Sequence, residues 1–277
     1  MKHQGFYFTS HKKQLFGQYW MPQQTKAVVI LVHGLGEHSG RYSDYVVPEF
    51  IDKGFAVIGF DHFGHGHSEG KRGHCPDYQS LLDSLKAIFI KAKEVFGEKP
   101  TFLYGHSLGG NIVLNYIMRR QPDIKGAVVT SPFLRLAFEP PKWKLILGKI
   151  MWKIYPSITL PSGLNPKAIS RIDDEIKKYT DDTLVHDRVS PNFSFPVMEA
   201  GEFAIDKSHT LSVPVLVLHG TGDQLADHKA TIEFAKSAPN TTLKLYEGGY
   251  HELHNDLERE DVLKTILEWM DSKVNSK

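Results

Sequence analysis

The chain has 277 residues, 41% hydrophobic and 23% charged, which suits one large domain with a real core and room for a modest insertion. Lys+Arg at 33 against Asp+Glu at 32 leave a formal net charge of +1, so no long-range field points to nucleic acid. The lone Cys75 excludes an internal disulfide, and no stretch has the apolar length of a signal peptide or a membrane span, so the expected setting is the cytoplasm.

Taken in chain order, residues 5–8 and 15–20 read as short strands around a polar turn. Residues 26–32 form a β-branched run ending at His33-Gly34, as a buried strand entering a loop would. Residues 42–53 carry apolar positions at helical spacing and stop at Gly54, and 55–60 is the next strand. The glycine-rich stretch 61–73 reads as a loop, and 78–96 as a helix with Leu81, Leu82, Leu85, Ile88 and Phe89 on one side. A strand at 101–104, a helix at 109–120 and a strand at 126–130 follow. The same rhythm returns with strands at 213–219 and 242–246 and helices at 229–235 and 258–270.

This βαβ alternation predicts an α/β fold with a mostly parallel sheet covered by helices on both faces. Between 132 and 211 the rhythm breaks. Eight prolines fall there, with short helical patterns and no convincing buried strand. The predicted organisation is a core of residues 1–131 and 212–277 with a helical cap inserted at 132–211.

Gly105-His106-Ser107-Leu108-Gly109 fits G-x-S-x-G between a strand and a helix. A serine on so tight a turn needs small residues two positions either side, and the turn lifts its hydroxyl above the sheet. Ser107 is therefore the candidate nucleophile. Acyl transfer also needs donors where charge develops on the carbonyl oxygen. The backbone N–H of Leu108 is one candidate, and that of Leu35, in the glycine loop after residue 32, is the other.

A serine hydroxyl needs a histidine to take its proton and a carboxylate to orient that histidine, in the chain order Ser, acid, His for this arrangement. With 15 histidines in the chain, position decides. His251 follows the strand at 242–246 and Asp223 the strand at 213–219, so both fall at the same sheet end as Ser107. His254 competes with His251. Asp227 competes with Asp223 but also suits the N-cap of the next helix. Asp61 precedes Ser107 and is expected to tie down the loop at 62–70.

The histidines at 62, 65, 67 and 74 show no zinc spacing, and His251-Glu252-Leu253-His254 is one residue short of H-E-x-x-H, so no metal is expected. Gly64-His65-Gly66-His67 lacks a dinucleotide pattern, and no cofactor is expected. Residues 142–155, read as a helix, put Trp143, Leu147, Ile150 and Ile154 on one face and Lys142, Lys149 and Lys153 elsewhere. Such a helix either lies at a membrane interface or packs its apolar side on the core.

Together these stretches resemble the monoacylglycerol lipase and lysophospholipase group of α/β-hydrolases, from about Val29 to the last helix. The most specific likeness is His33-Gly34-Leu35-Gly36-Glu37-His38-Ser39-Gly40-Arg41-Tyr42, followed by the segments 61–70, 105–110, 219–225 and 246–254. The resemblance implies an α/β-hydrolase fold and the set Ser107, Asp223 and His251, with Leu35 and Leu108 as oxyanion donors. It also implies a lipid acyl ester as substrate, an apolar cap that docks transiently on membranes, and no cofactor. Related activities in the group include lysophospholipases and short-chain or aromatic carboxylesterases. A binding protein without activity on the same fold is the alternative from another class.

Overall fold

The computed structural model describes residues 1–274. β1 (Lys2–Ser10) and β2 (Lys13–Met21) form an antiparallel hairpin around His11 and Lys12, whose φ angles of 46° and 63° suit a tight two-residue turn. β3 (Ala27–Val32), α1 (Val46–Asp52), β4 (Phe55–Phe60), α2 (Tyr78–Phe96), β5 (Thr101–His106), α3 (Leu108–Arg120) and β6 (Gly126–Thr130) then alternate. α4 (Lys142–Ile154), β7 (Leu160–Pro161), α5 (Asp173–Asp181), β8 (Arg188–Val189) and α6 (Pro191–Asp206) come next. β9 (Val215–Gly220), α7 (His228–Ser237), β10 (Thr241–Tyr246) and α8 (Arg259–Val274) complete the described chain.

Eight strands make one sheet in the order β1-β2-β4-β3-β5-β6-β9-β10. Only the hairpin and its junction with β4 are antiparallel; every pairing from β4 to β10 is parallel. β7 and β8 pair separately as a short ribbon.

The β-branched run of β3 is buried at all six positions because the sheet is covered twice. Val28, Ile30 and Val32 pack with Leu81, Leu85 and Ile88 of α2, while Ala27, Val29 and Leu31 pack with Phe50 of α1 and Ile266 of α8. α2 is fixed at its start by a capping box, in which Asp77 accepts from Ser80 N–H at 2.7 Å, and stops at Gly97 with φ 72°.

The helix expected over 42–53 is shorter. A 3₁₀ turn occupies Ser39–Tyr42 and α1 begins at Val46. Pro48 lacks an N–H and is accommodated only in a helix's first turn. Tyr42 is held in the preceding loop, its hydroxyl donating to Glu37 at 2.9 Å.

Between β6 and β9 two kinds of helix appear. α6 packs on α3: the side-chain amides of Asn111 and Asn115 donate to the carbonyls of Val197 and Ala200, and a Cβ on Gly201 would stand 2.1 Å from the Leu134 carbonyl oxygen. α4 rests on α6 through Trp152 stacked on Phe195, ring centres 5.2 Å apart, and buries none of its residues fully. Trp143, Ile146 and Ile154 are more than 60% exposed. No described helix is long and apolar enough to cross a membrane.

Candidate active site

Four loops leave the carboxyl ends of β3, β5, β9 and β10 and bring Leu35, Ser107, Asp223 and His251 to one place, where open parallel sheets gather ligands. Ser107 has φ 53° and ψ −115°, a conformation L-residues adopt only when the surroundings enforce it. Its N–H donates to Thr130 O at 3.0 Å, and its carbonyl accepts from Asn111 and Phe133 N–H at 3.1 and 2.9 Å. The flanking glycines are sterically required. A Cβ on Gly105 would lie 2.5 Å from Gly109 O, and one on Gly109 would lie 1.9 Å from Val32 O.

Leu108 is the first residue of α3, so its N–H lacks an acceptor within the helix. Leu35 sits between two anchored residues. Gly34 N–H donates to Glu37 Oε1 at 2.6 Å, and Gly36, at φ 80°, accepts from His186 N–H at 2.8 Å through its carbonyl.

His251 Nδ1 donates to Asp223 Oδ2 at 2.7 Å, which leaves Nε2 as the acceptor nitrogen. Asp223 Oδ2 also contacts His219 Nε2 at 3.1 Å, and Oδ1 accepts from Leu225 and Ala226 N–H at 2.8 and 3.0 Å. Burial pushes the Asp223 carboxyl up, but His251 and His219 hold it well below its usual range. Burial lowers His251, yet the Asp223 charge and bond outweigh it, so the imidazole binds its proton more tightly than an ordinary histidine.

The competing residues are placed elsewhere. Asp227 caps α7, accepting from Lys229 N–H at 2.9 Å, and His254 stacks on Tyr42 with ring centres 5.0 Å apart. Asp61 accepts from His67 N–H at 3.0 Å and from Ser39 N–H at 2.9 Å, tying two loops together. His62 and His65 are buried beside His33, and among the described residues no group of three potential ligands could hold a metal.

Several supporting residues were not singled out from sequence. Glu37 and Glu252 grip the Arg41 guanidinium at 2.8 and 2.6 Å, joining the Leu35 loop to the His251 loop. Burial pushes Glu37 up, whereas Arg41 holds Glu252 down despite its burial. His219 and His106 flank the Asp223–His251 pair; His106 lies 4.8 Å from the His251 ring and is driven well below the normal histidine range by burial. Glu37 with Arg41, and His219 with Asp223, stand four apart and carried a local hint, whereas Arg41 with Glu252 and His106 with His251 join separate strands or their loops.

Two cavities open from Ser107, Leu35 and His251. One, of about 330 Å³, has mostly apolar walls that include Leu164, Ile169 and Val185, with Glu37, Asp182 and Glu252 set among them. The other, of about 270 Å³, is walled by Leu108, Phe133, Leu136, Phe193, Val197 and Met198.

This fold and loop arrangement is that of an α/β-hydrolase. Residues 23–258 match the family model described as serine aminopeptidase, S33, and the chain belongs to that family, within its monoacylglycerol lipase group. It is 32% identical to the monoglyceride lipase of Rattus norvegicus over 94% of this chain and 88% of the relative. It is 36% identical over 97% of its length to an abhydrolase domain-containing protein of Dictyostelium discoideum, of which it spans only 29%. Among solved structures, the monoacylglycerol lipase of Paleococcus ferrophilus superposes with a TM-score of 0.86 at 35% identity, covering 94% of this chain and 99% of the other. The protein is a carboxylic ester hydrolase.

Proposed function

We propose that this protein hydrolyses monoacylglycerols to fatty acid and glycerol through an acyl-enzyme on Ser107. The observation that carries this reading is the meeting of two cavities at one serine, one walled mainly by hydrocarbon and the other carrying carboxylates and hydroxyls among its apolar walls. Such an ester has a small hydroxylated alcohol on one side of its carbonyl and a hydrocarbon chain on the other. The lipase relatives support the same substrate class.

In this mechanism His251 Nε2 takes the hydroxyl proton as Ser107 Oγ attacks the ester carbonyl. Asp223 holds the imidazole in the required tautomer and stabilises the imidazolium. The N–H groups of Leu35 and Leu108 receive the oxyanion. His251 then gives its proton to the departing glycerol oxygen. A water enters, loses a proton to His251, and attacks the acyl carbon, and Ser107 leaves reprotonated as the fatty acid is freed.

Residues 132–211 act in this reading as the cap that encloses the acyl chain and excludes water. The open apolar face of α4, with lysines at 142, 149 and 153, supports transient contact with a lipid surface and a peripheral location in the cell.

The test is an acyl-chain series of monoacylglycerols and p-nitrophenyl esters with the intact protein and Ser107→Ala. Turnover peaking on medium or long monoacylglycerols and abolished by the substitution is expected. Cleavage restricted to short or aromatic esters would overturn the substrate, and undiminished turnover by Ser107→Ala would overturn the nucleophile.

A further inference from the structure

His251 sits in a loop with only a short 3₁₀ turn, Leu253–Asn255, to stiffen it, and something else must fix its backbone. On one side Ser131 Oγ donates to the His251 carbonyl at 2.7 Å. On the other, residues 169–171 of the segment between β7 and α5 bond along the loop. Glu252 N–H donates to Ile169 O at 2.7 Å, and Ser170 Oγ donates to Asn255 O at 2.7 Å.

The centre of this second clamp is Asp256, whose side chain is wholly buried. Its Oδ2 accepts from the N–H of Tyr250, the residue before His251, at 2.8 Å. Its Oδ1 accepts from Arg171 N–H at 2.8 Å, while Arg171 Nε donates to the same carboxylate at 2.9 Å. The Arg171 guanidinium also pairs with Glu258 and lies over the Tyr250 ring, 5.7 Å from its centre. A buried carboxylate needs hydrogen-bond donors as well as a countercharge. Here one of those donors is the peptide adjoining His251, on an oxygen shared with the Arg171 guanidinium.

We propose that Asp256, completed by Arg171, is a positioning pair that sets the His251 backbone, so that residues 169–171 are a fixed part of the active site rather than of a movable lid. The proposal rests on His251 being the base that activates Ser107. Displacing the loop by even about 1 Å would cost on the order of 100-fold in rate. It would also weaken the His251 bond to Asp223 that favours the imidazolium.

The test uses p-nitrophenyl butyrate, a short soluble ester, with Asp256→Asn, Arg171→Ala, Arg171→Lys and Ser107→Ala. We expect kcat to fall about 100-fold in Asp256→Asn and roughly tenfold in Arg171→Ala, with KM nearly unchanged. The acid limb of the kcat/KM profile should move down by roughly one pH unit. The ionisable groups facing His251 are Asp223, Glu37, Glu252, His106 and His254, and none of these substitutions removes one. Arg171→Lys keeps the charge and the backbone donor and should recover most of the rate.

A variant with lowered Tm but unaltered kcat and acid limb would overturn the proposal. If Asp256→Asn fails to fold, the comparison of Arg171→Lys with Arg171→Ala decides, since that side chain is 24% exposed and lysine keeps a countercharge for the buried carboxylate. Full activity of Ser107→Ala would instead refute the reading of the site. Inactive Ser107→Ala beside fully active Asp256 and Arg171 variants would remove only the positioning pair.

Discussion

At Gly109 a hydrogen atom is all that separates α3 from the end of β3. A methyl group there would lie 1.9 Å from Val32 O, so Gly109→Ala must push the helix off the strand or distort the turn. The expected cost is about 2–4 kcal/mol in urea unfolding, together with at least a tenfold loss of turnover, because the same turn presents Ser107. Near-native stability and rate would show that the turn relaxes freely.

The pH dependence follows from one residue as well. In the proposed mechanism His251 must be neutral to take a proton, and its affinity for that proton is raised above the ordinary 6.5. Activity should therefore decline as pH falls, with the midpoint of kcat/KM above 6.5. Asp223→Asn removes the charge that raises it, so the limb should move to lower pH while kcat drops by about 10⁴. An acid limb unmoved by that substitution would assign the titration to another group. His219 and His106 illustrate what single residues could not disclose from sequence. His106 becomes part of the site only because β5 and the loop after β10 are brought side by side, while His219 enters through Asp223, four residues on in the loop after its own strand.

Among the elements, α4 differs from the helices that pack on the sheet. α2, α6 and α8 each bury one apolar stripe, α3 is buried on every side from Leu108 to Ile117, and the spacing that predicted α2 predicted its buried side as well. The pattern of α4 was equally regular, yet Ile150 is 46% and Trp143 63% exposed. Periodicity reports that a helix has an apolar face; what covers that face is decided by its neighbours, and the main neighbour of α4 among the described residues is α6. Replacing Trp143 and Ile150 together by Ser should lower partition onto lipid vesicles on the order of tenfold, with hydrolysis of a soluble ester unchanged. Equal binding by both proteins would remove α4 from the proposed contact. The split helix before β4 has a comparable lesson. The stretch from residue 42 carries helical spacing, but the Tyr42 hydroxyl is held by Glu37 and Pro48 fixes where α1 can begin.

In the whole molecule, the sheet separates two apolar layers, and β3 contributes alternate residues to both. Ile30, fully buried between β4 and β5, is a point where losing volume cannot be relaxed locally. Ile30→Ala should destabilise by about 2–5 kcal/mol, seen as a lower urea midpoint with an unchanged slope. A cost below about 1 kcal/mol would mean that the layer repacks.

The sequence by itself determined the α/β class and the position of nearly every core strand and helix, because burial on both sheet faces demands continuous β-branched runs and amphipathic helices with glycine stops. It also marked Ser107, Asp223 and His251 as candidates, because a strained turn needs glycines at fixed spacing and loops after parallel strands share one sheet end. Tertiary structure alone decided that Asp223 and His251 bond to one another, that Arg41 bridges two loops, and that Arg171 and Asp256 meet beside His251. These contacts join residues 28, 211 and 85 positions apart. No local period encodes such pairings; they arise when packing of the two layers fixes the loop ends in space.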